Sequence, residues 1–440
     1  MDIPYEPDVR QPRAAALAAA DLLVAATWPP QKPAHLPVYD AAGLPASNPR
    51  RQLYDNFQTV CDNHPDLSFG AILFDGDDAD SSKWQPYLFA HDPDRQGSLG
   101  SGAKIMICYA AFQLREDVRA LLKQDGVTAG NVRKKLADLW SAGNPEQKAI
   151  VRESSGAFGP PFLDSIFEFG GPLLADFKGR SNCGINAFRD DSKPGALHDH
   201  IQELGPVHAL EHDTARNDER WREILARPFA ERLWLTTRWS DNAAATTCLT
   251  EIGLPYINAL LRAAQLYDEK ANSGMKLYRG YEDPPHHLAE FNPWFNKFAR
   301  WYRYNRPTDD TQAGDVASFS ALLSALVMRK LFPPSVNDEM VSFLRVAQAG
   351  AITSYVEWSL KSLLKPYDGY VDLWSKLGIL NGTKTDCAYL RYRSPKDSKE
   401  YRMGLVVLNY KGPSPDTDEN CEFNLCVRDI FLALNPDFKP

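Results

Sequence analysis

A serine and a lysine lie one helical turn apart in residues 100–104, whose sequence is GSGAK. The apolar run 105–112 follows, so the pattern predicts a helix that begins near Ser101. Free backbone N–H groups gather at a helix N-terminus, and Lys104 falls on the same helix face as Ser101. A desolvated lysine can accept the proton of a serine hydroxyl, and the N–H groups can hold the resulting oxyanion. The spacing indicates nucleophilic catalysis by Ser101, although an N-capping serine beside a solvated lysine has the same pattern.

A second polar triplet, Ser240-Asp241-Asn242, also comes directly before a predicted helix. Small residues follow it at 243–245, and Leu249 and Ile252 continue an apolar helix face. Ser-x-x-Lys followed along the chain by Ser-Asp-Asn is the motif pair of penicillin-binding proteins and class A β-lactamases.

In these motifs and their order, the chain resembles the β-lactamase and penicillin-binding-protein-like serine hydrolases, which include D,D-peptidases and related esterases. The resemblance covers roughly half of the chain, in residues 65–112, 232–255, 308–345 and 368–410. It implies a class A β-lactamase-like fold, an α+β sandwich with an antiparallel sheet of about five strands flanked by helices, and an enlarged all-helical lobe.

The third motif of that family, Lys-Thr-Gly on a strand, has two candidates in this chain. Ser375-Lys376-Leu377-Gly378 has the lysine and the glycine, whereas Lys384-Thr385-Asp386 has the threonine and lacks the glycine. We favour Lys376 and Gly378, because substrate has to approach this strand closely and because the strand order suits it. Leu377 then stands where the family has a hydroxyl that binds a substrate carboxylate.

The resemblance also implies a role for each catalytic residue. Ser101 attacks the carbonyl carbon, and Lys104 is the general base for acylation. Ser240 relays a proton to the leaving group, while Asp241 serves the structure.

The substrate-binding residues are implied in the same way. Asn242 holds a substrate amide, and Lys376 supplies positive potential that lowers the pKa of Lys104. The backbone N–H groups of Ser101 and Ile379 form the oxyanion hole, and Gly378 lets the substrate approach the strand.

A glutamate that activates the deacylating water has only weak candidates. Glu290 and Glu282 lie in a suitable stretch without the surrounding pattern, so both are interpreted as surface carboxylates in an irregular loop. The predicted activity is therefore hydrolysis of an ester or amide through an acyl-enzyme, with esterase or amidase ahead of β-lactamase and D,D-peptidase. The alternative is a catalytically inert binding protein with the same fold. Leu377 favours this alternative, and the presence together of Ser101, Lys104, Ser240 and Asn242 opposes it.

A zinc peptidase is a third hypothesis, because His208-x-x-Glu211-His212 fits an inverted zinc-binding motif. Gly205-Pro206 and Asp213-Thr214 flank it closely, so a helix there is poorly supported. We therefore predict no metal and no cofactor.

Composition limits the partners and the compartment. A net charge of −8 without a basic stripe argues against nucleic acid, so a small-molecule ester, amide or peptide is the expected substrate. The apolar run 14–27 is too short for a membrane span and lacks the basic start of a signal peptide. Seven dispersed cysteines favour a reducing compartment, so we expect a cytoplasmic protein, or a periplasmic one if a leader was removed.

The predicted organisation has three parts. Residues 1–65 form an N-terminal helical extension, 66–112 with 305–440 a sheet-containing domain, and 113–304 a helical domain with an insertion around 140–220. Strands are predicted at 67–74, 84–90, 371–374, 385–392 and 403–410, and a helix at 421–434.

Overall fold

The structure is a computed structural model in two compact units. It describes residues 20–24, 30–76, 80–128, 130–142, 220–225, 227, 229–268, 270–277, 280–282, 312–345, 354–365, 370–380, 382–397 and 399–438. The sheet unit comprises the described parts of 31–105, 264–276 and 311–440, and the helical unit those of 1–30, 106–263 and 277–310.

The sheet unit is built on five antiparallel strands. They are β1 (Ser68–Asp75), β2 (Gln85–His91), β3 (Tyr370–Leu380), β4 (Thr383–Arg393) and β5 (Glu400–Lys411), in the spatial order β2-β1-β5-β4-β3. Almost every residue of β1 and β4, the strands on either side of the central strand β5, is buried, because helices cover both faces of the sheet. The predicted α+β fold with a five-stranded antiparallel sheet is confirmed.

Helices pack on the two faces of this sheet. Those of the sheet unit are α1 (Pro49–Asn63), α7 (Val316–Val327), α8 (Pro334–Leu344), α9 (Tyr355–Leu364) and α10 (Glu422–Leu434). Apolar side chains of α1, α9 and α10 share one core with alternate residues of the strands, among them Phe69, Phe89 and Leu405. Helix α7 packs on β1 and β5 from the other face, where Val316 lies against Gly70.

Strand β3 is an edge of the sheet and is longer than the predicted strand 371–374. It continues through Lys376 to Leu380 because each of its last six residues pairs with β4, from Ser375 opposite Ala388 to Leu380 opposite Thr383. Partner strands decide strand length more than local propensity does, and this pairing is not visible in the local sequence.

The described residues of the helical unit are mainly α-helical. The helices are α2 (Lys104–Leu122), which begins in the sheet unit, α3 (Val132–Ala142), α4 (Phe229–Arg238), α5 (Asn242–Ile252) and α6 (Leu254–Ala263), and a further helical stretch covers 220–225. Helix α5 is buried over nearly its whole length, from Ala243 to Ile252. Gly253 follows it with φ of 92°, a left-handed value that glycine adopts without strain and that ends the helix.

The two units divide the chain differently from the predicted domains. Residues 31–65, predicted as part of a separate extension, lie in the sheet unit, and so do residues 264–276. Helix α1 packs against α10, the last helix of the chain, and this contact is not visible in the local sequence. The insertion predicted around 140–220 falls almost wholly outside the described residues. Within the described part of the chain, no helix is long and apolar enough to cross a membrane.

Candidate active site

Ser101 lies in a 3-10 turn, Gly100–Ala103, which we call the serine turn and which leads directly into α2. The preceding residues 97–98 pair with Ala313–Gly314, and the N–H of Leu99 donates to the carbonyl of Gln312 at 2.9 Å. These backbone hydrogen bonds fix the residues immediately before the serine turn. Ser101 is partly exposed, whereas Lys104 at the end of the turn is completely buried. The sequence prediction that the serine precedes a helix is therefore confirmed.

The edge strand β3 passes against the serine turn at backbone distance. A Cβ atom added to Gly378 would lie 1.8 Å from the carbonyl oxygen of Leu99 and 2.4 Å from the nitrogen of Gly102. A Cβ on Gly100, whose φ is +48°, would lie 2.4 Å from the oxygen of Ile379. Only glycine fits at either position without a clash, so the close contact depends on these two glycines. The strand residues Gly378 and Ile379 thus flank the turn that carries Ser101.

Lys376 lies two residues before Gly378 and is almost completely buried, with 3% of its surface exposed. Its Nζ donates to the carbonyl of Leu377 at 3.1 Å. Burial lowers the pKa of Lys376 to about 7, and the negative charge of Asp386 opposes this shift. The ammonium group therefore titrates close to neutral pH.

The other third-motif candidate lies on β4. The Lys384 side chain donates to the carbonyl of Gly412 and to that of Gly382, beside the turn between β3 and β4. The Thr385 hydroxyl donates to the carbonyl of Leu99 at 3.2 Å and so helps to hold the serine turn. Leu377 is partly buried and packs against the apolar core.

In the helical unit, Ser240 occupies the turn between α4 and α5. Its φ of +58° is left-handed, an uncommon conformation for a residue other than glycine that often marks a functional position. The carbonyl of Leu235 accepts the N–H groups of both Trp239 and Asp241, which closes the turn. Ser240 and Asn242 are partly exposed, and Asp241 between them is buried.

Asp241 has a structural role. It caps α5 by accepting the N–H of Ala244 at 2.8 Å, and its second oxygen accepts from Arg220 at 2.9 Å. Arg220 also binds both oxygens of Glu282, at 2.9 and 3.1 Å. Trp221 Nε1 donates to Glu282 as well, at 3.1 Å. We call Arg220, Trp221, Asp241 and Glu282 the Arg220 cluster.

The interpretation of Glu282 as a surface carboxylate is wrong. Its side chain is only 24% exposed, and burial raises its pKa while Arg220 opposes the shift. The hydroxyl of Thr246 on α5 accepts the N–H groups of Tyr281 and Glu282, at 2.9 and 3.0 Å, and so fixes the backbone there. No local sequence pattern indicates this site, because Arg220 lies 62 residues before Glu282 along the chain.

Some predicted residues lie outside the described part of the chain: Glu290, and the histidines and glutamate of the zinc motif at 208–212. Among the described residues, no group of three His, Cys, Asp or Glu side chains is arranged to bind a metal ion.

Comparison with known proteins adds to this geometry. Residues 225–416 match a family model, Beta-lactamase2, that describes a beta-lactamase enzyme family. The resemblance to the β-lactamase superfamily is confirmed. The matched segment contains Ser240, Asn242 and Lys376, whereas Ser101 and Lys104 precede it.

Solved structures of β-lactamases are similar at low identity. One from Sphaerobacter thermophilus is 14% identical, with a TM-score of 0.44 and coverage of 88% of this chain and 99% of that one. A class A β-lactamase from Bacteroides cellulosilyticus is 11% identical, with a TM-score of 0.41 and the same coverage. A β-lactamase from Xanthomonas campestris is 13% identical, with a TM-score of 0.40, and covers 87% of this chain and 96% of that one. No curated protein matches the chain.

Asp386 is a further buried polar residue that the sequence patterns do not indicate, because there it is only the mismatch in Lys384-Thr385-Asp386. It is fully buried beside Ser375 and Ser354. An aspartate directly before the mainly apolar residues 387–390 of a predicted strand was the available signal, because buried carboxylates need partners.

Proposed function

We propose that the protein is a serine hydrolase that forms an acyl-enzyme on Ser101 and hydrolyses an ester or an amide. The observation that carries the proposal is the backbone contact of Gly378 and Ile379 with Gly100 and Gly102 on either side of Ser101. Such a contact brings an edge strand beside a serine at a helix N-terminus, where backbone N–H groups can stabilise an oxyanion.

In the proposed mechanism, Lys104 in its neutral form accepts the proton of the Ser101 hydroxyl while the oxygen attacks the substrate carbonyl. The N–H groups of Ser101 and Ile379 bind the oxyanion, and collapse of the tetrahedral intermediate expels the leaving group. A buried lysine suits this base role, because burial favours the neutral amine.

The remaining roles follow from the family resemblance. Ser240 delivers the proton to the leaving group, and its left-handed φ is a strain of the kind found at functional positions. Asn242 binds a substrate amide. Lys376 provides positive potential, to a degree that depends on pH because its pKa is about 7.

The substrate class is limited by Leu377. A side chain that packs against the core offers no hydroxyl for a substrate carboxylate, which weakens recognition of β-lactams and D-alanyl peptides. We therefore rank an ester or amide without that carboxylate first, a β-lactam second and a D-alanyl peptide third. The same leucine supports the second candidate function, an inert binding protein.

Turnover of p-nitrophenyl acetate and of a chromogenic cephalosporin by wild type and Ser101→Ala tests the proposal. We expect ester hydrolysis in the wild type and a loss of about three orders of magnitude or more in Ser101→Ala. Ser82→Ala is the matched control, because Ser82 bonds only locally to Asp80, and it should keep full activity. Equal rates in wild type and Ser101→Ala would rule out Ser101 as the nucleophile, and no turnover of either substrate would favour the binding protein.

A further inference from the structure

A cavity of about 240 Å³ lies in the sheet unit, against the sheet face that α1 and α10 cover. It is lined by residues of β1, β2, β4 and β5, of the start of α1 and of the end of α10. We call it the sheet cavity. Its lining includes no residue of the serine turn or of β3, the elements that carry Ser101, Gly378 and Ile379. The sheet cavity is therefore separate from the candidate active site.

One group of aromatic rings lies at the β2 side of the sheet cavity. Tyr87 and Phe89 are alternate residues of β2, so their side chains share one face of the sheet. The ring of Tyr39 packs against both, with centroid distances of 5.4 Å to Tyr87 and 5.2 Å to Phe89. Leu73 of β1 pairs with Tyr87, so it continues the same face toward the middle of the sheet.

A second group of rings lies at the β4 side. Tyr392 of β4 and Tyr401 of β5 are directly opposite each other in the ladder, and their rings stack with a centroid distance of 6.2 Å. The ring of Phe438, which follows α10, lies 5.6 Å from that of Tyr392. Tyr401 is 42% exposed, so it lies where the cavity meets solvent. A molecule in the cavity therefore meets aromatic side chains from both directions along the sheet.

The charged side chains on this face of the sheet cavity form ion pairs. Arg50 of α1 donates to the carboxylate of Asp75 at 3.1 Å, and both side chains are at least half exposed. Asp437 pairs with Lys396 at 3.5 Å. A charged ligand would have to compete with one of these pairs, so the lining favours a ligand without charge.

Arg402 is the remaining charged residue of the lining, and it directly follows Tyr401 in β5. Successive residues of a strand point to opposite faces of the sheet. The guanidinium of Arg402 accordingly lies over the ring of Trp84, 4.0 Å from its centroid, and donates to the carbonyl of Gly76 at 3.3 Å. Its charge is held away from the face that carries the aromatic rings.

We propose that the sheet cavity is a second small-molecule site, which binds an uncharged, planar aromatic compound of one ring or two fused rings. An apolar cavity of about 150 Å³ is large enough for benzene, so 240 Å³ accommodates a second fused ring. The surrounding rings can contact such a ligand edge-to-face or in an offset stack. The inference goes beyond the proposed function and does not rest on it.

The first test is a ¹⁹F NMR titration of 5-fluoroindole with the full-length protein. We expect saturable binding with a Kd of about 0.1–1 mM, which is usual for a ligand of this size. Tyr401→Ala removes a half-exposed ring of the wall and should weaken binding about five- to tenfold. Tyr54→Ala is the matched control, because Tyr54 is a partly buried tyrosine of α1 outside the lining. The absence of saturable binding to the wild type, or equal affinities of the two variants, overturns the proposal.

A filling variant covers the case in which Tyr401→Ala does not fold. Leu53 of α1 lines the cavity and is only partly buried, so α1 can carry a larger side chain there. Leu53→Trp places an indole ring of the protein where the ligand would bind, and should weaken 5-fluoroindole binding by more than about tenfold. Wild-type affinity in Leu53→Trp overturns the proposal.

The location is tested by repeating the titration after fluorophosphonate treatment. We expect the Kd of 5-fluoroindole to be unchanged by an adduct on Ser101, because the sheet cavity contains no residue of the serine turn. Loss of binding on labelling places the probe in the candidate active site and overturns the proposal. A protein that is not labelled at Ser101 contradicts the proposed function, and the two variants then still decide whether the sheet cavity binds the probe.

The absence of ligand charge is tested with 5-fluoroindole-2-carboxylate. We expect it to bind the wild type at least several-fold more weakly than 5-fluoroindole, because Asp75 and Asp437 lie at the cavity and Arg50 is already paired. Asp75→Asn removes the carboxylate that pairs with Arg50, so it should reduce this difference. Tighter binding of the carboxylate than of 5-fluoroindole to the wild type overturns the assignment of an uncharged ligand.

Discussion

Each unit contains a buried basic side chain near a predicted catalytic motif: Arg220 in the helical unit and Lys376 in the sheet unit. The two side chains differ in their partners and in the direction of their pKa shifts. In the Arg220 cluster, Arg220 binds Asp241 and both oxygens of Glu282 directly, and these carboxylates outweigh burial and raise the pKa of Arg220. In the sheet unit, Asp386 on β4 is bound by hydroxyl and amide donors, and burial lowers the pKa of Lys376 on the neighbouring strand β3 to about 7. One cation is permanently charged, and the other can change its charge near neutral pH.

The difference indicates that Arg220 and Lys376 have different roles. A guanidinium with bidentate partners is suited to holding a backbone in place, here the start of α5 and the segment around Glu282. A lysine whose pKa is lowered to near neutral pH is typical of a functional site, where its charge affects the pKa values of neighbouring groups. Variants of the two cations and of the residues around them test this contrast.

The largest loss of stability is expected from Arg220→Leu. It leaves Asp241 and Glu282 without their buried cation, which costs about 3–5 kcal/mol in the free energy of unfolding. Urea denaturation followed by circular dichroism measures this. Arg329→Gln is the control, because its partner Asp338 is about half exposed, and it should cost less than about 1 kcal/mol. Equal losses in the two variants would mean that the Arg220 cluster stabilises the fold no more than an exposed ion pair does.

The pH dependence of stability is the second prediction. The Lys376 pKa of about 7 in the folded protein lies below the value of about 10.4 in an unfolded chain. Between these values the unfolded state binds the additional proton, so this residue makes stability rise with pH, by about 1.4 kcal/mol per pH unit at most. Lys376→Met should lose this slope between about pH 7 and pH 9. Parallel stability curves for the two proteins, measured by urea denaturation, would contradict the shifted pKa.

Gly378→Ala tests the contact between β3 and the serine turn. The added methyl overlaps the carbonyl of Leu99 and the nitrogen of Gly102, so β3 has to move, at a cost of about 1–3 kcal/mol. The rate of Ser101 labelling should fall even under conditions in which Gly378→Ala is fully folded, because Ile379 moves with the strand. Gly43→Ala is the control, since no atom lies within 4 Å of its added methyl. Normal labelling of Gly378→Ala would show that β3 is not part of the site.

The smallest effect is expected from Thr246→Val, which keeps the side-chain shape and removes the acceptor of the Tyr281 and Glu282 N–H groups. Leaving these donors unpaired should cost about 1 kcal/mol, the lower end of the range for unsatisfied groups, because they are only partly buried. Thermal unfolding measures the change. Thr417→Val, whose hydroxyl makes a local exposed bond to Ser414, is the control and should be nearly neutral. A neutral Thr246→Val would mean that α5 does not fix the Glu282 segment.

Local sequence patterns predicted the elements whose structure depends on local residues. Apolar runs with turn residues at their ends indicated the strands, and the change from small residues to an apolar run placed Ser101 before a helix. The edge strand β3 was predicted too short, because Ser375, Lys376 and Gly378 are poor strand formers and their pairing with β4 is a tertiary effect.

The charge clusters were not predictable in the same way. Arg220 and Glu282 are distant along the chain, and neither lies in a motif. Asp386 looked like a defect in a Lys-Thr-Gly match because sequence alone does not reveal that Ser354 and Ser375 donate to it. Long-range polar partners of this kind become visible only once the sheet order is known.

Intact-mass spectrometry of wild type and Ser101→Ala after incubation with a fluorophosphonate, followed by peptide mapping, tests directly whether Ser101 is the nucleophile. We expect a single adduct on the wild type, located on Ser101, and none on Ser101→Ala. An adduct of equal yield on Ser101→Ala, or an adduct mapped to another residue of the wild type, would contradict it.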